Sequence, residues 1–253
     1  MPSGARLAIL LLLATAGLTA AAFAVIRPPV PPRMRGYRGP IHWLGRWAYW
    51  VTRPLLRAIS ALGITANGVT AIGAGISVVA GLAAGLGAWG WAGFLLVMGS
   101  WCDLIDGEVA RTTGTQTTAG AFLDSNLDRL SEMALLGGFA ASFTDRAGVI
   151  WAVAALSASL WVSYARARGE GLGVACPTFG LERPHRAVIL MFALLIAAFL
   201  PARTAEALLE GTCAAIALGA GATALGRLFV IHRLLREEQA VARARGAPPA
   251  GTA

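Results

Sequence analysis

Charge is what this chain has least of. Only 13% of its 253 residues are charged, whereas 57% are hydrophobic, and mean hydropathy is +0.65. Soluble domains carry about 25% charged residues, so a water-soluble globular protein is excluded and a membrane protein is expected. Cysteine is scarce too. Cys102, Cys176 and Cys213 are isolated and odd in number, and His42, His185 and His232 are scattered. This excludes a disulfide framework and a Cys/His zinc site. Lysine is absent: all 21 basic residues are arginine. In a chain so rich in alanine and arginine that follows from genomic base composition, and it excludes nothing. The net charge of +8 raises the question of nucleic acid. The arginines, however, cluster between apolar segments, which favours anionic lipid head groups and phosphate-bearing substrates and argues against nucleic acid.

What the chain does have is long apolar runs. Runs long enough to cross a bilayer fall at about 5–26, 66–88, 89–111, 118–143, 147–167, 185–201 and 207–231. Between the first two lies a proline- and arginine-rich linker that no helix can traverse. A segment at 41–62 follows, in which Trp43, Trp47, Tyr49, Trp50, Leu55 and Leu56 alternate with Arg46, Arg53 and Arg57. That mixture reads as an amphipathic helix in the membrane interface, with an ordinary helix packed on protein as the alternative. From 237 onward the chain turns polar and a frayed tail is expected. The first run is too long for a signal-peptide core and reads as a retained helix with its N-terminus outside. The arginine-rich connections at 27–65, 111–118, 166–186 and 233–245 then fall on the cytoplasmic side. Glycines in the runs (Gly68, Gly73, Gly75, Gly81, Gly85, Gly211, Gly219, Gly221) are a packing signal.

Against this apolar background four carboxylates stand out: Asp103, Asp106, Asp124 and Asp128. Ionisable groups at membrane depth are costly and are functional candidates by default. Asp103 and Asp106 are spaced i,i+3, with Gly107, Ala110 and Arg111 extending that face. Gly120, Asp124 and Asp128 are spaced i,i+4,i+8. Two helices pressing these faces together gather four carboxylates, which bound hard cations make tolerable. On this reading the sites lie near the cytoplasmic helix ends.

The stretch 103–128 resembles the signature of the CDP-alcohol phosphotransferase (CDP-alcohol phosphatidyltransferase) family, D-x2-D-G-x2-A-R-x8-G-x3-D-x3-D, at all eight fixed positions. The resemblance covers about residues 60 to 235. It implies an all-α integral membrane fold with a six-helix transmembrane core, to which this chain adds an N-terminal transmembrane helix and the interfacial helix. The expected organisation is an anchor at 1–26, a linker and interfacial helix at 27–62, a catalytic domain at 63–236 and a disordered tail at 237–253. The implied reaction moves a phosphatidyl group from CDP-diacylglycerol to an acceptor hydroxyl, with release of CMP. It implies two Mg²⁺ or Mn²⁺ ions held by Asp103, Asp106, Asp124 and Asp128, with Asp128 also the general base. Arg111 is expected on the nucleotide's phosphates, Gly107, Ala110 and Gly120 as clearance, and Thr117 as a hydroxyl donor. Asn67 and Thr70 match the N-x-x-T that opens the family's first core helix. Their alternative role is helix capping, since Thr65 and Asn67 are both good N-cap residues. A homodimer in the inner membrane, with its active site facing the cytoplasm, is also implied.

For the acceptor, Ser163–Gly173 and the Glu-Arg-Pro-His-Arg run ending at Arg186 resemble bacterial phosphatidylinositol-phosphate synthases. That likeness places an acceptor phosphate on Arg166, Arg186 and Arg227, although the positive-inside rule alone also puts arginines at such a boundary. Arg166 stands where those enzymes usually carry lysine. The alternatives are glycerol 3-phosphate or an amino alcohol as acceptor. More remote are a prenyltransferase and a cation-coupled transporter, whose helices are broken near the midplane.

Overall fold

The computed structural model describes residues 3–28, 40–176 and 178–244, and within them the chain forms eight α-helices and no strand. They are α1 (Ser3–Ile26), α2 (Pro40–Ala61), α3 (Ala66–Gly85), α4 (Trp89–Thr113), α5 (Thr118–Ser142), α6 (Arg146–Gly171), α7 (Arg183–Ala197) and α8 (Ala202–Ala244). The proline-rich linker lies almost wholly outside the described residues. Each of the seven apolar runs becomes one helix, and the segment at 41–62 becomes α2. Four helices, α1, α3, α6 and α8, are long and apolar enough to cross a membrane. The motif carboxylates dilute α4 and α5, and α7 has only 15 residues. Large outward-facing apolar side chains, among them Leu82, Phe192, Leu218 and Phe229, suit a lipid surround rather than water.

The expectation of a frayed chain from 237 is corrected as far as Ala244. Helix α8 runs for 43 residues, about 64 Å at 1.5 Å per residue. That is roughly twice the hydrocarbon thickness of a bilayer, so one end must leave it. Its charged C-terminal part is braced by Arg233 Nε donating to Glu237 Oε1 at 2.8 Å. Residues 245–253 lie outside the described residues.

The chain divides into two compact units, Met1–Ala134 and Leu135–Ala253. In the first, α3 and α4 approach so closely that their glycines are required. A Cβ on Gly73 would lie 2.6 Å from Cys102 Cβ, and one on Gly99 would collide with the Ser77 hydroxyl. A Cβ on Gly81 would strike the Ala134 backbone on α5. Small residues permit this backbone approach where apolar burial gives no drive between helices. By contrast, nothing lies within 4 Å of a Cβ built on Gly75, Gly211 or Gly221. Helix α2 is tied to α4 by Trp101 Nε1 donating to Thr52 Oγ1 at 3.0 Å. The core formed by Leu56, Val69, Ile105 and Val109 joins α2, α3 and α4, and two of those residues flank Asp106 and Glu108 in sequence. Phe23 of α1 packs edge-on against Trp43, with centroids 5.6 Å apart.

In the second unit α8 packs along α6 and α7. Asp145 caps α6 by accepting from Gly148 N at 2.6 Å. The turn before α7 is fixed from α8. Thr223 Oγ1 accepts from Leu181 N at 2.9 Å, and Gly180, at φ +77°, leaves no room for a Cβ beside Thr223.

Candidate functional site

The site is built where α3, α4 and α5 meet in the first unit. Thr65 opens α3 by accepting from Gly68 N at 3.2 Å, so the capping role falls to Thr65. Asn67 and Thr70 instead line a cleft of about 250 Å³. Thr117, the residue before α5, accepts from Gly120 N at 3.0 Å and lines the same cleft. All seven residues expected around the nucleotide (Asn67, Thr70, Gly107, Ala110, Arg111, Thr117 and Gly120) are in its wall, together with Asp106 and Asp124.

Carboxylate oxygens of Asp103, Asp106 and Asp124 all lie within 4.8 Å of one another. Asp106 is buried and its Oδ2 has no hydrogen-bond partner, Asp124 is half-buried, and Asp103 is exposed. A buried carboxylate oxygen without a donor is costly unless something positive sits against it. Three oxygen donors in this space fit a hard divalent cation. Asp128, also half-buried, is not in that trio; it lies four residues further along α5, an axial rise of about 6 Å.

The glycines serve the pocket's own polar groups. A Cβ on Gly107 would stand 3.3 Å from Arg111 Nη1, and one on Gly120 would stand 3.1 Å from both Asn67 Oδ1 and Thr117 Oγ1. Arg111 is held by a residue that the spacing argument passed over. Its Nε and Nη2 both donate to Glu108 Oε2, at 3.3 and 3.1 Å. The Glu108 side chain is only 7% exposed, against 49% for Arg111. Glu108 occupies a variable position of the signature; its i,i+3 spacing to Arg111 was the available signal. Also unforeseen is an adjoining chamber of about 380 Å³, which shares Asn67, Thr115 and Thr117 with the cleft and continues past Thr65 and Thr113.

The three arginines expected at the acceptor lie in the second unit and are engaged by protein groups. Arg166, 42% exposed, donates from Nε to Glu170 Oε1 at 2.8 Å. Arg186 is fully buried and its Nη1 donates to Leu181 O at 2.9 Å. Arg227, 2% exposed, donates to Val162 O at 3.0 Å and to Glu182 Oε1 at 2.5 Å. Arg186 and Arg227 therefore grip the same short segment, Leu181–Glu182.

Comparison with known proteins agrees with this geometry. The CDP-alcohol phosphatidyltransferase family model matches residues 63–229. An archaetidylinositol phosphate synthase of Pyrococcus horikoshii is 38% identical over 149 residues, 57% of this chain and 78% of that one. A phosphatidylinositol phosphate synthase of Streptomyces avermitilis is 35% identical over 149 residues, 56% of this chain and 61% of that one. Among solved structures, the phosphatidylinositol phosphate synthase of Mycobacterium tuberculosis with CDP-DAG bound superposes with a TM-score of 0.65 at 28% identity, over 72% of this chain and 93% of that one. The same enzyme in complex with manganese and citrate gives the same TM-score and identity. Fold and site together define a transferase with membrane helices. The chain belongs to the CDP-alcohol phosphatidyltransferase family.

Proposed function

We propose that this protein transfers a phosphatidyl group from CDP-diacylglycerol to the hydroxyl of a phosphorylated polyol of the inositol-phosphate type, releasing CMP. The observation that carries the reading is the single cleft in which Asp106 and Asp124 share a wall with all seven nucleotide-site residues. The similarity to an archaetidylinositol phosphate synthase of Pyrococcus horikoshii and a phosphatidylinositol phosphate synthase of Streptomyces avermitilis supports the acceptor class. Asp103, Asp106, Asp124 and Asp128 would hold two Mg²⁺ or Mn²⁺ ions, which supply charge neutralisation at the pyrophosphate. Arg111 adds a fork onto the phosphates, with Thr70, Thr117 and Asn67 as polar contacts and Gly107, Ala110 and Gly120 leaving them room. Asp128 takes the proton of the acceptor hydroxyl. A new bond forms between that oxygen and the phosphorus bearing the diacylglycerol, and the bond from that phosphorus to CMP breaks.

Arg166, Arg186 and Arg227 are proposed to receive the acceptor's phosphate; Arg227 would exchange its carboxylate partner Glu182 for that phosphate. The catalytic part is residues 63–236, with α3–α8 as a six-helix transmembrane core, α1 as an added anchor and α2 in the interface. The site faces the cytoplasm of the inner membrane, a reading supported by the arginine-rich connections, and the working form is a homodimer. The test is turnover of radiolabelled CDP-diacylglycerol by purified protein offered inositol 1-phosphate, glycerol 3-phosphate, serine, ethanolamine and free inositol. Inositol 1-phosphate should be used best. Efficient use of serine, ethanolamine or free inositol would reject the phosphate requirement, and a preference for glycerol 3-phosphate would reject the inositol class.

A further inference from the structure

We infer that Glu108 is a positioning residue that presets Arg111 for the phosphates of the nucleotide, an inference that rests on the reading of the cleft as a CDP-alcohol site. Four observations meet here. Glu108 is buried although it is an acid, and burial of an acid is tolerated only with a partner. Its Oε2 takes two of the guanidinium's five N–H groups, Nε–H and one on Nη2. Arg111 itself is half-exposed and lines the cleft beside Asp106 and Asp124. Gly107 gives Nη1 the room to lie back over α4, since a Cβ there would come within 3.3 Å. The Glu108 carboxylate thus fixes one edge of the guanidinium, while Nη1 and the second Nη2 hydrogen are not used by it.

The physical gain is in ordering. An arginine that is half in solvent carries large rotamer freedom, and binding has to freeze it. Immobilising such a side chain costs about 0.5–1.5 kcal/mol; through the affinity arithmetic that is about a two- to tenfold change in binding. Glu108 meets that cost in advance, before any ligand arrives. A competing effect has the opposite sign. The Glu108 charge opposes an incoming phosphate, so a carboxylate acting only as a rival anion would weaken binding. The ion pair decides for positioning: Glu108 is on the same helix, one turn back and buried, and its charge is matched by the guanidinium it holds at 3.1 Å, which leaves little of it to oppose a phosphate.

The experiment uses the full chain in detergent and measures two dissociation constants by calorimetry, one for Mn²⁺ alone and one for CDP in saturating Mn²⁺. Glu108→Gln keeps the size of the side chain but removes its charge, and Glu108→Ala removes the contact. Both variants should weaken CDP about two- to tenfold, Glu108→Ala the more, and leave Mn²⁺ binding unchanged. Arg111→Ala should weaken CDP at least as much, and adding Glu108→Gln to it should cost nothing further, because the two act through one contact. Unchanged or tighter CDP binding in both Glu108 variants would overturn the inference. So would an equal loss for Mn²⁺ and CDP, since Asp103 and Asp106 share α4 and damage to that helix would strike both. An additive double variant would overturn it as well. A failure of the underlying site reading looks different: Arg111→Ala itself would then leave CDP binding unchanged.

Discussion

Replacing Gly120 by alanine separates a residue that the ligand needs from one that the fold needs. The added Cβ would stand 3.1 Å from both Asn67 Oδ1 and Thr117 Oγ1. Both neighbours then have to retreat by about 0.3 Å to reach an ordinary contact near 3.4 Å. Thr117 is at the same time the acceptor for Gly120 N, at 3.0 Å, so its retreat loosens the start of α5. A lost N-terminal cap costs about 1 kcal/mol. Alanine in place of glycine within a helix returns up to about 1 kcal/mol. The two nearly cancel, and because about 1 kcal/mol moves Tm by roughly 2–4 °C in a chain of this size, Tm should stay within about 2 °C of wild type.

Binding has no such compensation. Asn67 and Thr117 are displaced together, and losing even one hydrogen bond to a charged phosphate costs about 1.5–3 kcal/mol, at least tenfold in Kd. Thermal denaturation in detergent, paired with CDP titration in saturating Mn²⁺, reads both quantities on one sample. A variant with wild-type Tm and at least tenfold weaker CDP binding is expected. If Tm drops by more than about 5 °C while CDP binds normally, Gly120 is a packing glycine like Gly81, and the clearance argument is wrong.

Three further outcomes are expected. Chelation should abolish turnover and added Mg²⁺ or Mn²⁺ should restore it; Asp106→Asn should lose Mn²⁺ and CDP binding together. Asp128→Asn should keep CDP binding within threefold while kcat falls at least 100-fold, the usual scale of a lost general base, and near-normal turnover would remove Asp128 from that role. Arg186→Ala should raise the acceptor KM at least tenfold and leave the CDP-diacylglycerol KM unchanged. An equal rise in both would instead mean that the loss of the bond to Leu181 O had loosened the start of α7.

Most of the secondary structure was legible because the apolar runs are long and the breakers strong. Each run became one helix, and the αL glycines Gly87 and Gly114 sit in the connections after α3 and α4. Polarity alone does not mark the end of the last helix. Helix α8 continues to Ala244 because a polar helix leaving the bilayer needs only good formers and i,i+4 pairs such as Arg233–Glu237. The glycine stripes were only half informative. Gly73, Gly81 and Gly99 are required by close backbone approach, whereas Gly75 and Gly221 have nothing near them. Composition cannot say which face of a helix meets a neighbour, so it cannot tell these apart.

The carboxylate cleft and the arginines of the second unit were unequally legible for one physical reason. The aspartate motif lies on consecutive helices joined by a four-residue connection, so helical period and spacing alone bring Asp103, Asp106 and Asp124 within 4.8 Å. Around Arg227, partners come from far along the chain: it reaches Glu182 across 45 residues and Val162 across 65. No periodicity encodes such pairs. Glu182 shows the consequence. It stands at the N-cap of α7, where a short polar side chain would ordinarily turn back onto the helix, yet it makes no capping bond. Its carboxylate goes to Arg227 instead. A sequence reading sees Glu-Arg-Pro-His-Arg as a basic boundary. The fold makes the acid the partner of a buried arginine on another helix, and any acceptor phosphate that engages Arg227 has to compete with it. Selectivity for a doubly charged phosphate over a neutral hydroxyl compound would follow from that competition, since only a strong anion can replace a carboxylate held at 2.5 Å.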